Sequence, residues 1–236
     1  MFAFIAVLVA FAGKAGVRAV LAFIVTILAI WKLLVPMYLA GYDPIISGLI
    51  ITMLISVVVI SLVYGFDKRT AAAIAGVGTG LALTCILGII FTKMFKIHGA
   101  IMPNSEGLLY SGFENLDLTR IYMASIFIGA SGAIIDVAVD VTAAMREVLE
   151  KRPDISRKEL IKSGFVIGKA NMCTMTTTLL LAYSGGYVSL MMVFMAQGTP
   201  IMNILNYKYI ASEIIDTIVG SFGLVMVSPL TAVIAG

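Results

Sequence analysis

Charge is scarce in this chain. Sixteen Lys and Arg and thirteen Asp and Glu are spread over 236 residues, about half the share of an ordinary soluble domain. No basic patch capable of holding a nucleic-acid backbone can be built from so few cations, and a net charge of +3 names no partner. Cysteine is nearly missing: Cys85 and Cys173 both fall in apolar runs, which excludes a disulfide framework or zinc spacing and leaves packing as their expected role. The one histidine, His98, is expected at a loop surface rather than on a metal. There is no Walker motif, nucleophile elbow or HExxH, so neither an enzyme nor a cofactor is expected. The opening run also lacks the charged leader and cleavage site of a secretory signal.

What fills the space is hydrocarbon. The residues are 61% hydrophobic, and the mean hydropathy is +1.07. That fits an all-α membrane protein in one transmembrane domain over 1–236, because only helices or closed barrels satisfy their backbone in lipid and these runs are too long for strands. Met1–Ala12 reads as a short or re-entrant leading helix turned at Gly13-Lys14-Ala15-Gly16. Six spans follow: Val17–Val35 ending at Pro36, Pro44–Val63, Ala71–Phe91, Thr119–Val141, about Phe165–Tyr183 and about Ile210–Leu230. Tyr187–Gln197 is a broken apolar stretch before the last span. Trp31, Tyr38 and Tyr42 fit an interfacial belt.

Counting Lys and Arg by alternate loops places eleven on one side and five on the other. The positive-inside rule then puts Arg146–Lys169 in the cytoplasm of a bacterial cell membrane and makes about 97–118 the main external loop. Within the basic linker, Ser156 with Glu159 spells a capping box. Leu160, Ile161, Phe165 and Val166 form an apolar face opposite Arg157, Lys158 and Lys162, so an amphipathic helix at the interface is expected.

Four acids fall inside spans, where each costs about 2.5–3.5 kcal/mol at mid-helix and so faces a partner or water. Asp136 and Asp140 share one face of the fourth span. Asp140 lies near the cytoplasmic mouth, within reach of Arg146 or Lys169; Glu213 and Asp216 belong to the last span. These are the candidates for proton or ion coupling, with Asp216 expected as a relay partner of Asp136. Asn171, Thr174, Thr176, Thr177 and Thr178 place polar groups along the fifth span; they either bond across to a facing helix, as a polar relay, or back to their own. Gly76 and Gly80 form a GxxxG pair, and Gly129 and Gly132 precede Asp136; both sets read as close helix packing. The fourteen methionines read as adaptable packing rather than a soft-metal path.

Several stretches carry a resemblance. Gly41-Tyr42-Asp43-Pro44, the block Gly129-Ala130-Ser131-Gly132-Ala133-Ile134-Ile135-Asp136-Val137-Ala138, and Ser156-Arg157-Lys158-Glu159-Leu160-Ile161-Lys162-Ser163-Gly164 resemble the YibE/F family of bacterial multi-spanning membrane proteins. Thr178–Tyr183 and Pro229-Leu230-Thr231-Ala232 add to it. The resemblance implies a permease-like protein that occurs in paired or duplicated form. The order of glycine-rich helix, mid-helix Asp136, basic linker, threonine-rich span and closing Val227-Ser228-Pro229-Leu230 is more distantly similar to the six-helix RND/SecDF membrane unit. That likeness implies an RND-like half-unit facing a second one, with Asp136 binding the proton. The expected function is therefore a proton- or ion-coupled transport or export component. Its expected partners are membrane lipid, an unknown small or ionic substrate, and a second copy or sister subunit. A non-transporting assembly or signalling subunit and a channel are the alternatives.

Overall fold

The computed structural model describes residues 2–236 as helices joined by short connections, with no strand among them. Six helical stretches are long and apolar enough to cross a membrane. The first is composite. Helix α1 (Phe2–Ala29) breaks at Gly13, whose φ of 55° and ψ of −126° suit only glycine, and the leading arm folds back until Leu8 abuts Gly16. The expected stop at Pro36 does not occur. A π-turn over Ile30–Leu34 widens the helix just before the proline, absorbs the missing N–H, and lets α2 (Val35–Leu39) continue the span.

Helices α3 (Pro44–Tyr64) and α4 (Lys68–Met94) begin at aspartate caps: Asp43 accepts from the Ile45 and Ile46 amides, and Asp67 from the Thr70 amide. The connection to the fourth span holds a 3₁₀ turn at Gly99–Ile101 and the short α5 (Ser105–Tyr110). Helix α6 (Leu118–Lys151) is the centre of the bundle and runs well past the expected end at Val141. Helix α7 (Arg157–Gly186) starts at Ser156, whose hydroxyl accepts from the Glu159 amide at 3.3 Å. The basic amphipathic segment is thus the opening of α7, continuous with the fifth span. Its buried edge is Leu160, Gly164 and Gly168, one residue per turn, while Phe165 and Val166 face outward. Helices α8 (Val188–Ala196) and α9 (Ile201–Asn206) cover the broken apolar stretch, and α10 (Lys208–Ala235) closes the chain.

Helices α4, α6 and α10 form the core, with α3 and α7 flanking α6 and α1 leaning on α3. Lipid removes the hydrophobic reason for helices to cluster, so close van der Waals fit through small residues must do the work. A Cβ on Gly76 would collide with Thr231, and one on Gly80 would come within 2.9 Å of Val227 and 3.1 Å of Ile134. The sequence-read pair on α4 therefore seats α10 and α6. Val77, Leu81, Ile134, Val137, Leu224 and Val227 fill the space between.

Charge pairs mark the two ends of the bundle. At one, Arg120 pairs with Asp43; at the other, Arg146 reaches Asp67 at 2.7 Å and Glu150 at 2.7 Å. The Asp67 carboxyl is held below the usual carboxylate range by the Thr70 amide and hydroxyl, helped by Arg69 and Arg146. Burial pushes the Asp43 carboxyl up, but the Ile46 amide, Arg120 and the Ile45 amide outweigh it and leave it lowered. A carboxylate lowered by folding stabilises above its unfolded pKa and loses that contribution as acid protonates it. Thermal unfolding in detergent micelles should therefore show stability falling below about pH 4. The joint substitution Asp43→Asn and Asp67→Asn should flatten that limb, since asparagine keeps the cap but not the charge.

Candidate functional site

Two acid clusters sit on different helices at different depths. The first is on α6. Ser125, Gly129, Gly132, Asp136 and Asp140 recur at three- and four-residue spacing, so they share one stripe, and all five are exposed. The stripe carries no branched apolar side chain, which is unusual for a helix face turned away from its own bundle.

Depth makes the stripe chemically significant. Arg120 and Arg146 mark the two polar rims and lie about 39 Å apart along α6 at 1.5 Å per residue. On the same rise Asp136 stands about 24 Å from the first rim and about 15 Å from the second, within the apolar band. It has no hydrogen-bond partner among the described residues. Asp140, one turn closer to the Arg146 rim, accepts from Asn171 Nδ2 at 3.2 Å. It borders a hollow of about 570 Å³, also lined by Arg69, Arg146, Glu147 and Asn171. The partners expected for Asp140, Arg146 and Lys169, do not bond to it; Arg146 is taken by Asp67 and Glu150. Asp140 thus joins Asp136 to a polar opening.

The second cluster is on α10. Glu213 and Asp216 lie one turn apart and border a cavity of about 560 Å³ under the Gly99–Ile101 turn. Tyr122 donates to the Ser212 carbonyl at 2.7 Å, tying α6 to α10 there. Asp216 Oδ1 is buried and unpaired.

The two clusters do not meet. Gly220 packs level with Ala130, which puts Asp216 about ten residues, or about 15 Å, from Asp136 along parallel helices. A direct proton transfer from one to the other, as the expected relay would need, is out of reach at that separation. What lies between is Tyr183, whose hydroxyl occupies the space left by the missing Cβ of Gly129.

The expected polar relay divides. Asn171 does touch an acid. Thr174, Thr177 and Thr178 donate to the Asn171, Cys173 and Thr174 carbonyls of their own helix at 2.9, 3.1 and 3.0 Å, leaving only acceptor lone pairs to offer. The glycines divide as well. Gly76 and Gly80 are buried, whereas Gly132 has nothing within 4 Å and Gly129 meets only Tyr183. Of the cysteines, Cys85 is buried and Cys173 exposed. Sequence reasoning missed the Asp43–Arg120 and Asp67–Arg146 pairs, although each aspartate opens a helix at the level where α6 presents its arginine. It also missed Tyr122, Tyr187 and Tyr209, which line the cavity with Glu213.

The family model for YibE/F-like proteins matches residues 1–236. No curated protein and no solved structure matches the chain.

Proposed function

We propose that this chain, which belongs to the YibE/F-like family, is one unit of a proton- or ion-coupled membrane transporter or exporter, working as a homodimer or beside a sister subunit. One observation carries the reading: Asp136 is exposed at apolar depth, without a partner, on a stripe of small residues. Lipid alone does not tolerate an ionised carboxylate there, so the stripe must border water, a second unit, or both. The RND/SecDF likeness fits that arrangement, with Asp136 as the proton-binding group and Asp140 and the Arg146-side hollow as its access. On the positive-inside rule the Arg146 rim faces the cytoplasm of a bacterial cell. The cargo is a small or ionic solute.

The stripe can be read out in bacterial membranes. In a chain carrying Cys85→Ala and Cys173→Ala, Gly132→Cys should react with a membrane-impermeant thiol reagent or cross-link to a neighbouring protein under mild oxidation. A cysteine at 132 that does neither lies against bare lipid, and the reading fails.

A second reading, a non-transporting assembly subunit, is favoured by Gly132, which is free to receive a partner helix closely. It expects cross-linking at 132 but no gradient-driven flux. A channel expects flux that ignores the gradient coupling and survives loss of the Asp136 charge.

A further inference from the structure

We infer that the cavity holding Glu213 and Asp216 is a binding site for an organic ammonium cation with an apolar body. The inference rests on the transport reading only in taking that cation for the cargo class.

The wall is acidic and carries no compensating charge. Glu213 and Asp216 are the charged residues among those lining it, and no Lys, Arg or His borders it among the described residues. Of the other polar groups, the Tyr122, Ser125 and Ser212 hydroxyls are already committed to backbone carbonyls. Tyr122 donates to the Ser212 carbonyl, and the Ser125 hydroxyl donates to the Tyr122 carbonyl at 2.8 Å. The buried Asp216 Oδ1 is left as an acceptor without a donor. Such an atom calls for a donor brought from outside.

A proton alone would quiet the acids but leave the rest of the wall unexplained. The cavity, at about 560 Å³, falls in the range of small-molecule sites. Tyr187 and Tyr209, the latter stacked on Tyr207 and Phe194, bring aromatic rings to the wall, which attract ammonium groups, and Met102 and Leu190 supply apolar contact. A divalent metal fits poorly, because it needs six or more oxygen ligands, and no cluster of three or more His, Cys, Asp or Glu exists among the described residues. An anion is repelled. A cation with hydrocarbon around it satisfies both halves of the site.

The test uses the full chain in nanodiscs and benzylammonium, whose N–H groups can donate to Asp216, as probe, with calorimetric titration as the measurement. The wild type should bind the probe at least about tenfold more tightly than its uncharged isostere, benzyl alcohol. Asp216→Asn should weaken binding about tenfold or more, the loss of a charged contact. Tyr187→Leu should weaken it about fivefold, and Tyr187→Phe, which keeps the ring, should not. Should Asp216→Asn fail to yield a monodisperse helical protein, Glu213→Gln and the Tyr187 pair carry the same comparison. Equal affinity for probe and isostere, no binding at millimolar probe, or unchanged binding in both acid variants overturns the site. If binding holds while gradient-driven flux proves absent, the coupling reading alone fails.

Discussion

Asp136→Asn should reduce pH-gradient-driven flux in proteoliposomes to the level of empty vesicles while leaving the protein folded. Asparagine fills nearly the same volume, so the stripe keeps its shape and only the ionisable group disappears. Because Asp136 makes no hydrogen bond to a described residue, nothing in the bundle loses a partner. A neutral amide costs less at apolar depth than a carboxylate, so thermal stability should hold or rise. The measurement is lumenal pH from an entrapped dye under an imposed gradient, with and without an added organic cation. Wild-type flux that Asp136→Asn leaves unchanged would remove the coupling role. No wild-type flux above empty vesicles would remove transport and favour the assembly reading. Asp140→Asn should be milder, since Asp140 sits by the polar hollow and the Asn171 amide can rotate to serve an amide partner.

The spans were plain in the sequence because length and hydropathy depend on nothing distant. Pro44–Tyr64 and the caps at Asp43 and Ser156 follow from local chemistry in the same way. Where a tertiary neighbour decides, local reading fell short. Pro36 reads as a stop, but the π-turn before it carries the helix through. The face Leu160, Ile161, Phe165 and Val166 looks amphipathic, yet the helix buries its small edge because Gly164 lets Met145 and Ala232 approach. The threonines of α7 look like glue between helices. Thr174, Thr177 and Thr178 lie on the exposed side of that helix, so their hydroxyls turn to the nearest carbonyls of their own backbone.

The acids show the same division. The shared face of Asp136 and Asp140 follows from helical periodicity alone, and it holds. The expected link from Asp136 to Asp216 needed the register of α6 against α10, which no single helix encodes. Gly220 against Ala130 sets that register and keeps the two acids about 15 Å apart. The molecule thus offers two acidic places with different surroundings: one open stripe at the outer face of the bundle, and one pocket with tyrosines near the Asp43–Arg120 rim.

Leucine at two glycines should separate folding from assembly. Gly80→Leu places a branched side chain where even a Cβ would lie 2.9 Å from Val227 and 3.1 Å from Ile134, both on buried core helices. Overpacking of that kind costs about 3 kcal/mol, a fall in Tm of about 5–10 °C, and should lower the yield of monodisperse protein. Gly132→Leu meets open space, so the isolated chain should unfold at the wild-type temperature. Its effect should appear only where a second unit comes close: a large loss of cross-linked pairs and of gradient-driven flux, with far-ultraviolet circular dichroism unchanged. Gly132, which no described residue approaches within 4 Å, stands one turn from an unpaired carboxylate and has a use only if something else arrives there. If Gly132→Leu pairs and transports as before, the partner approaches by another face, and Asp136 meets water without help from a second unit.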